Sequence, residues 1–176
     1  MTGAREHRFR ALFQSAYPSI VTYARRRVPA GEVDDVVAEV FTVAWRRLDD
    51  VPATNERAWL YGVARRVIAN QRRSGARRLH LVERLAAQPA GSSGEAADQD
   101  PAILAALAGL RPADQEILRL AAWEQLSGAE IATALGCTPN AAALRLSRAR
   151  ARLRSELTEI EPTRTHKGRR TRSAGA

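Results

Sequence analysis

The chain has 176 residues, with 28 Lys and Arg against 19 Asp and Glu and a formal net charge of +9, a length that holds one ordinary domain or two small ones. All of its Lys and Arg residues except Lys167 are Arg, the side chain suited to phosphates and base edges, so the balance favours a polyanionic partner. The sequence lacks an apolar run of about 18 residues or an export-type N-terminus, and it carries one Cys and three scattered His (His7, His80, His166); membrane insertion, a disulfide framework, a metal site and a cofactor are therefore not expected, and a cytoplasmic protein is.

Apolar residues recur at spacings of three and four with no alternating runs, which predicts an all-α fold of two small helical domains. In chain order, a first helix from about Arg8 to Val28 has Phe9, Leu12, Phe13, Ala16, Ile20 and Tyr23 as its apolar side. From Val33 a second stripe follows through Val36, Val37, Val40, Phe41, Ala44 and Leu48, with Asp34 and Asp35 at the positive end of the helix dipole. Asp35 and Glu39 repel one another at i and i+4, a cost that a basic partner would relieve. A third stripe comprises Trp59, Leu60, Val63, Ala64, Val67 and Ile68. Aromatic residues at helical spacing usually pack inward, so Trp45, Trp59 and Trp123 are expected in the core. Residues 1–87 form this first domain, with 16 basic and 9 acidic residues.

Residues 88–101 carry 3 acids and no base, have Pro at both ends, and contain Gly91-Ser-Ser-Gly94 with no large apolar anchor. They read as a flexible acidic linker. The second domain, 102–161, holds the sharpest local pattern. Ser127 and Glu130 form a Ser-x-x-Glu capping box, Ile131, Ala132 and Leu135 make a buried side, and Gly136 stands where a left-handed stop is expected. Thr138 then offers a second cap and Pro139 a first-turn residue, so a new helix starts after a tight turn, giving a helix-turn-helix. In that helix Ala142, Leu146, Ala149 and Leu153 face inward, whereas Asn140, Ala143, Leu144, Ser147 and Arg148 face outward, where they can meet base edges. Arg145, Arg150, Arg152 and Arg154 flank them, placed to hold phosphates. Leu144 is unusual, a large aliphatic residue with no packing reason on that face. Residues 162–176 carry 5 basic and no acidic residues without periodicity and are expected to be a disordered basic tail.

These residues carry a family resemblance. Ser127-Gly-Ala-Glu-Ile-Ala-Thr-Ala-Leu-Gly-Cys-Thr-Pro139, continued by Arg145-Leu-Ser-Arg-Ala-Arg-Ala-Arg-Leu-Arg154, resembles the minus-35 reader of extracytoplasmic-function (ECF) sigma factors of bacterial RNA polymerase. Asp34-Asp-Val-Val-Ala-Glu-Val-Phe-Thr-Val-Ala-Trp45 resembles the segment by which that family docks on polymerase, and Ala58-Trp-Leu-Tyr-Gly-Val-Ala-Arg65 through Arg78 resembles its minus-10 helix. The resemblance implies a sigma factor that binds core RNA polymerase, at the clamp helices of the largest subunit and the flap of the second largest, and directs promoter-specific initiation. It implies docking through Asp34, Asp35, Glu39 and Trp45. Minus-10 contacts would come from Arg57, Trp59, Tyr61, Arg65, Arg66, Asn70, Arg73, Arg77 and Arg78, with Arg72 on the same surface, and Asp49 to Arg57 would be the loop that captures a flipped-out base. Minus-35 contacts would come from Thr138, Asn140, Ala143, Leu144, Arg145, Ser147, Arg148 and Arg152. Promoter DNA is thus a partner, and the family leaves room for an anti-sigma factor.

Three departures bear on specificity. Asn140-Ala-Ala-Ala-Leu144 stands where the family usually has Gly-Thr-Val-Lys-Ser, Arg66 and Asn70 replace a common Asn and Asp, and the basic tail extends past the usual end. The promoter sequence is therefore not inherited. The alternative is a helix-turn-helix repressor or activator that works without polymerase, which leaves the Arg65–Arg78 surface unexplained. No enzyme is indicated: Cys137 sits in the turn with no nearby His, and Gly91-Ser-Ser-Gly94 lacks the lysine of a phosphate-binding loop.

Overall fold

A computed structural model describes the backbone of residues 2–82 and 101–167 and the side chains of residues 3–75 and 101–159. Every regular element among the described residues is helical. The chain divides into two compact units, one containing the first three α-helices together with Thr133–Gly136 and the other containing the fourth, fifth and seventh and the start of the sixth.

In the first unit, α1 (Thr2–Arg25), α2 (Val33–Arg46) and α3 (Glu56–Val82) pack on one another pairwise. The valine-rich stripe of α2 is buried as the sequence predicts: Val33, Val36, Val37, Val40, Phe41 and Ala44 lie inside, and Leu48 closes the core just beyond. β-Branched residues are only moderate helix formers, so α2 is held by this apolar face rather than by propensity. Each fully buried side chain of this kind contributes about 1.5–3 kcal/mol. Leu12, Ala16, Ile20 and Tyr23 of α1 and Leu60, Tyr61, Val63, Ala64, Val67 and Ile68 of α3 complete the core. α1 continues through Pro18.

In the second unit, α4 (Pro101–Gly109) and α5 (Pro112–Ala122) both pack against α7 (Pro139–Lys167). Prolines at the starts of these helices cost little, because a first-turn amide has no intrahelical acceptor. Pro101, assigned from sequence to the linker, therefore begins α4. The linker residues 88–100 lie outside the described residues. At the other end α7 runs on through Lys167, so residues 162–167 of the expected tail are helical, because extending a nucleated helix by one residue is far cheaper than starting one. Residues 168–176 lie outside those described.

Candidate nucleic-acid interface

The helix-turn-helix forms as its caps predict. The Ser127 amide donates to Glu130 Oε2 at 2.9 Å and the Glu130 amide to Ser127 Oγ at 3.3 Å, which starts α6 (Gly128–Leu135). Gly136 has φ 64°. The Cys137 amide donates to the Ala132 carbonyl at 3.0 Å and the Gly136 amide to that of Thr133 at 3.2 Å. This pair of bonds is a Schellman stop, which requires the left-handed residue that glycine supplies. Thr138 Oγ1 accepts from the Ala141 amide at 3.2 Å, so Thr138 caps α7 while remaining exposed.

On α7, Ala142 and Ala149 are buried and Leu146 and Leu153 half-buried, whereas Asn140, Ala143, Arg145, Ser147 and Arg148 are exposed. Leu144 is 51% exposed, the largest value among the exposed large apolar side chains of the chain's described residues. Arg152 departs from expectation. Its Nη1 donates to both carboxylate oxygens of Asp114, at 3.0 and 2.9 Å, and Asp114 is also held by Arg111 Nε at 3.1 Å. Arg152 is thus an internal partner of α5 and not a free phosphate-type cation. The cause is tertiary, since the Asp114 side chain is only 10% exposed and a buried carboxylate requires a counter-charge.

The first unit shows the same division. Arg57, Arg66, Asn70 and Arg73 are exposed, Arg65 and Trp59 are half-buried, and Arg77 and Arg78 lie on α3 beyond the described side chains. Arg73 Nη2 donates to Asn70 Oδ1, one turn away. Arg72, placed with them from sequence, instead donates to the Arg27 carbonyl at 2.7 Å and ties α3 to the chain after α1. Tyr61 is a correction: it is 3% exposed, with its ring 5.1 Å from that of Tyr23. It belongs to the core because the inward side of α3 is wide enough to take Leu60 and Tyr61 together.

Asp34, Asp35 and Glu39 project from α2 into solvent. Asp35 and Glu39 share one groove of about 740 Å³ with Arg47, Arg66, Asn70 and Gln71. Trp45, expected in the core, is 37% exposed. It closes an aromatic row with Phe9, 5.2 Å away and edge-on, while Phe13, Tyr17 and Phe41 continue the row. Phe13 and Tyr17 are themselves more than a third exposed. The spacing 9, 13, 17 on α1 and 41, 45 on α2 is the sequence signal for this row. Trp123 is half-buried.

Sequence reasoning also missed how the loop after α2 is held. Arg5 donates to Asp49 Oδ2 and to the Trp45 carbonyl, each at 2.8 Å, and Arg8 donates to the Val51 carbonyl at 2.8 Å. Arg47 reaches Asp50 at 2.8 Å. The loop is therefore pinned at its base while Ala53 and Thr54 stay exposed. Nothing local announces these bonds.

Among the described residues no three His, Cys, Asp or Glu gather as a metal site would require, and no helix is long and apolar enough to cross a membrane.

Residues 12–78 match the family described as Sigma-70 region 2 and residues 101–153 that described as Sigma-70, region 4. The RNA polymerase sigma factor NccH of Alcaligenes xylosoxydans xylosoxydans is 32% identical over 136 residues, 72% of this chain and 73% of NccH. CnrH, solved in complex with the cytosolic domain of CnrY, is 28% identical with a TM-score of 0.58, covering 86% of this chain and 88% of CnrH. The sigma factor RpoE, solved with the anti-sigma factor NepR from Bartonella quintana, shares the fold with a TM-score of 0.64 at 23% identity, over 85% of this chain and 96% of that one.

Proposed function

This chain belongs to the sigma-70 family and to its extracytoplasmic-function group, and on that premise we propose that it docks on core RNA polymerase through α2, reads the minus-10 element with α3 and the minus-35 element with α7, and helps open the DNA at the minus-10 element. Its role is in transcription initiation, and it acts in the cytoplasm beside polymerase. The observation that carries the finer reading is that each compact unit presents its own Arg-bearing helical face, while the acids Asp34, Asp35 and Glu39 gather on a third helix, α2.

The chemistry supports each assignment. Holding single-stranded bases calls for cations and polar or aromatic groups on a rigid helix, and exposed Arg66, Asn70 and Arg73 with half-buried Trp59 and Arg65 supply them. The pinned loop ahead of α3 keeps Ala53 and Thr54 available to an extruded base. On α7, Asn140, Ala143, Leu144, Ser147 and Arg148 face the major groove, with Thr138 and Arg145 at its edge. The exposed acids of α2 meet the clamp helices of the largest subunit, and the C-terminal unit meets the flap of the second largest. By analogy with CnrH, which was solved with a second protein bound, the proposal includes an anti-sigma partner.

Two DNA-facing units on one chain bind weakly alone and strongly when polymerase fixes their separation, because the second contact becomes intramolecular. The test is transcription in vitro with purified core polymerase on a promoter library, beside footprints of the chain with and without polymerase. An asymmetric footprint that requires polymerase is expected. A symmetric footprint by the chain alone, one helical turn between half-sites, would replace this reading with that of a polymerase-independent regulator. Replacing Asp35 and Glu39 together by Arg should reduce competition for core against a rival sigma factor while helical content is kept; unchanged competition removes α2 from the docking surface.

A further inference from the structure

The reading helix α7 has an unusually smooth inner face. Among its described side chains the fully buried ones are Ala142 and Ala149, with Leu146, Leu153 and Leu157 only half-buried. Small residues let helices approach closely but give few interlocking side chains, so apolar packing alone restrains the rotation of α7 about its own axis weakly. Rotation matters here. A turn of about 20° moves a side chain on a helix some 5 Å in radius by about 2 Å, more than the tolerance of a hydrogen bond.

The contact between Arg152 and Asp114 opposes that rotation. At about 100° per residue, Arg152 projects roughly 80° from the direction of Ala142, on the flank between the buried and reading faces. There its Nη1 lies 3.0 and 2.9 Å from the two oxygens of Asp114, in the first turn of α5, across 38 residues of sequence. Arg111 Nε holds the same carboxylate from the other side at 3.1 Å. The Asp114 side chain is 10% exposed and that of Arg152 43%, so the pair is largely shielded on the carboxylate side, where charge attraction is strongest and loss of one partner leaves the other uncompensated. The lever is off-axis and directional, which an alanine contact is not.

We infer that Asp114 and Arg152 together set the rotation of α7 and thereby fix which of its side chains face the bases: Asp114 is a positioning residue for promoter recognition, and Arg152 acts through it rather than on phosphate. This rests on the reading that α7 faces the minus-35 element. The neighbouring Arg145, Arg148, Arg150 and Arg154 are left for DNA.

The experiment is transcription by the full chain with core polymerase from a library randomised at minus-35 over a fixed minus-10 element. Asp114→Ala, Arg152→Ala and the double variant are compared, with thermal unfolding measured alongside. The expected result is that each single change flattens the minus-35 preference by about tenfold, the equivalent of 1.4 kcal/mol of coupling, and that the double is no worse than either single. Arg152→Lys, which keeps the charge and loses the planar fork, should restore part of the preference. If Asp114→Ala unfolds the second unit, Asp114→Asn carries the same test, keeping shape while losing charge. The inference is overturned if Arg152→Ala lowers use of every sequence alike while Asp114→Ala, which frees Arg152, leaves use unchanged or raises it. Additive losses in the double variant overturn it too. Arg148→Ala in the same library separates this from the underlying reading, since no change of preference there would mean that α7 does not read minus-35 at all.

Discussion

Helices α3 and α7 look alike as sequences. Both are long, both alternate Arg with small and aliphatic residues, and both were expected to turn nearly all of their cations to DNA. Each instead ties an arginine to another part of its own unit, Arg72 to the Arg27 carbonyl and Arg152 to the Asp114 carboxylate. The two staples differ in kind. Both arginines are exposed, but Arg72 meets a neutral carbonyl whereas Arg152 meets a shielded charge. The surrounding cores differ to match: α3 is seated by Leu60, Tyr61, Val67 and Ile68, large groups that interlock, whereas the fully buried side chains of α7 are Ala142 and Ala149, with its inward leucines only half-buried. The lesson is that where fully buried bulky side chains fix a helix, an arginine staple adds little, and where the bulky groups are only half-buried it takes over the orientation.

That contrast can be broken most forcefully at Tyr61. Tyr61→Ala should cost about 3–5 kcal/mol, as deletion of a buried aromatic does, and appear as a large drop in unfolding temperature, while Tyr61→Phe should cost far less. A Tyr61→Ala variant of unchanged stability that fails to open promoters would return Tyr61 to the DNA surface and undo the account of α3 as a well-seated helix.

Next in size is Arg148, exposed on α7 where it can pair with guanine. Arg148→Ala is expected to relax preference at one minus-35 position by about 1–3 kcal/mol, the discrimination of a good bidentate contact, measured by sequencing transcripts from the randomised library. A uniform loss across all sequences would class Arg148 with the phosphate contacts.

The α3 staple should be weaker. Arg72→Ala is expected to lower stability by roughly 1 kcal/mol, the net worth of an ordinary hydrogen bond, and to leave promoter choice alone, whereas Arg66→Ala should impair promoter opening with no change in stability. Denaturant unfolding beside permanganate footprinting of the opened strand compares the two, and a reversal of their effects would show that the structural and DNA-facing roles have been exchanged.

The smallest effect belongs to Leu144. Shortening it to Ala should weaken preference for a thymine at one position by somewhat under a factor of ten, since a methyl contact in the major groove is worth on the order of 1 kcal/mol. An unchanged thymine preference, with weaker polymerase binding, would make Leu144 part of a protein contact.

What the sequence determined by itself is whatever is encoded within a turn or two of chain. The Ser127–Glu130 box, the glycine stop at Gly136 and the Thr138 cap join residues no more than five positions apart, so their chemistry could be read directly, and the inward stripes of α2 and α7 followed from helical period alone. The ECF motifs were legible for the same reason. Tertiary structure decided the fate of residues on the margin between faces. Periodicity gives a direction around the helix but not the width of the cover, so it could not tell that Tyr61 goes under while Trp45 stays at the rim. Nor could it pair Arg152 with Asp114, Arg72 with Arg27, or Arg5 and Arg8 with the loop after α2, contacts spanning 38 to 45 residues. An arginine is long enough to reach either a phosphate or a carboxylate, and only the packing of the neighbouring helix determines which acceptor lies within its reach.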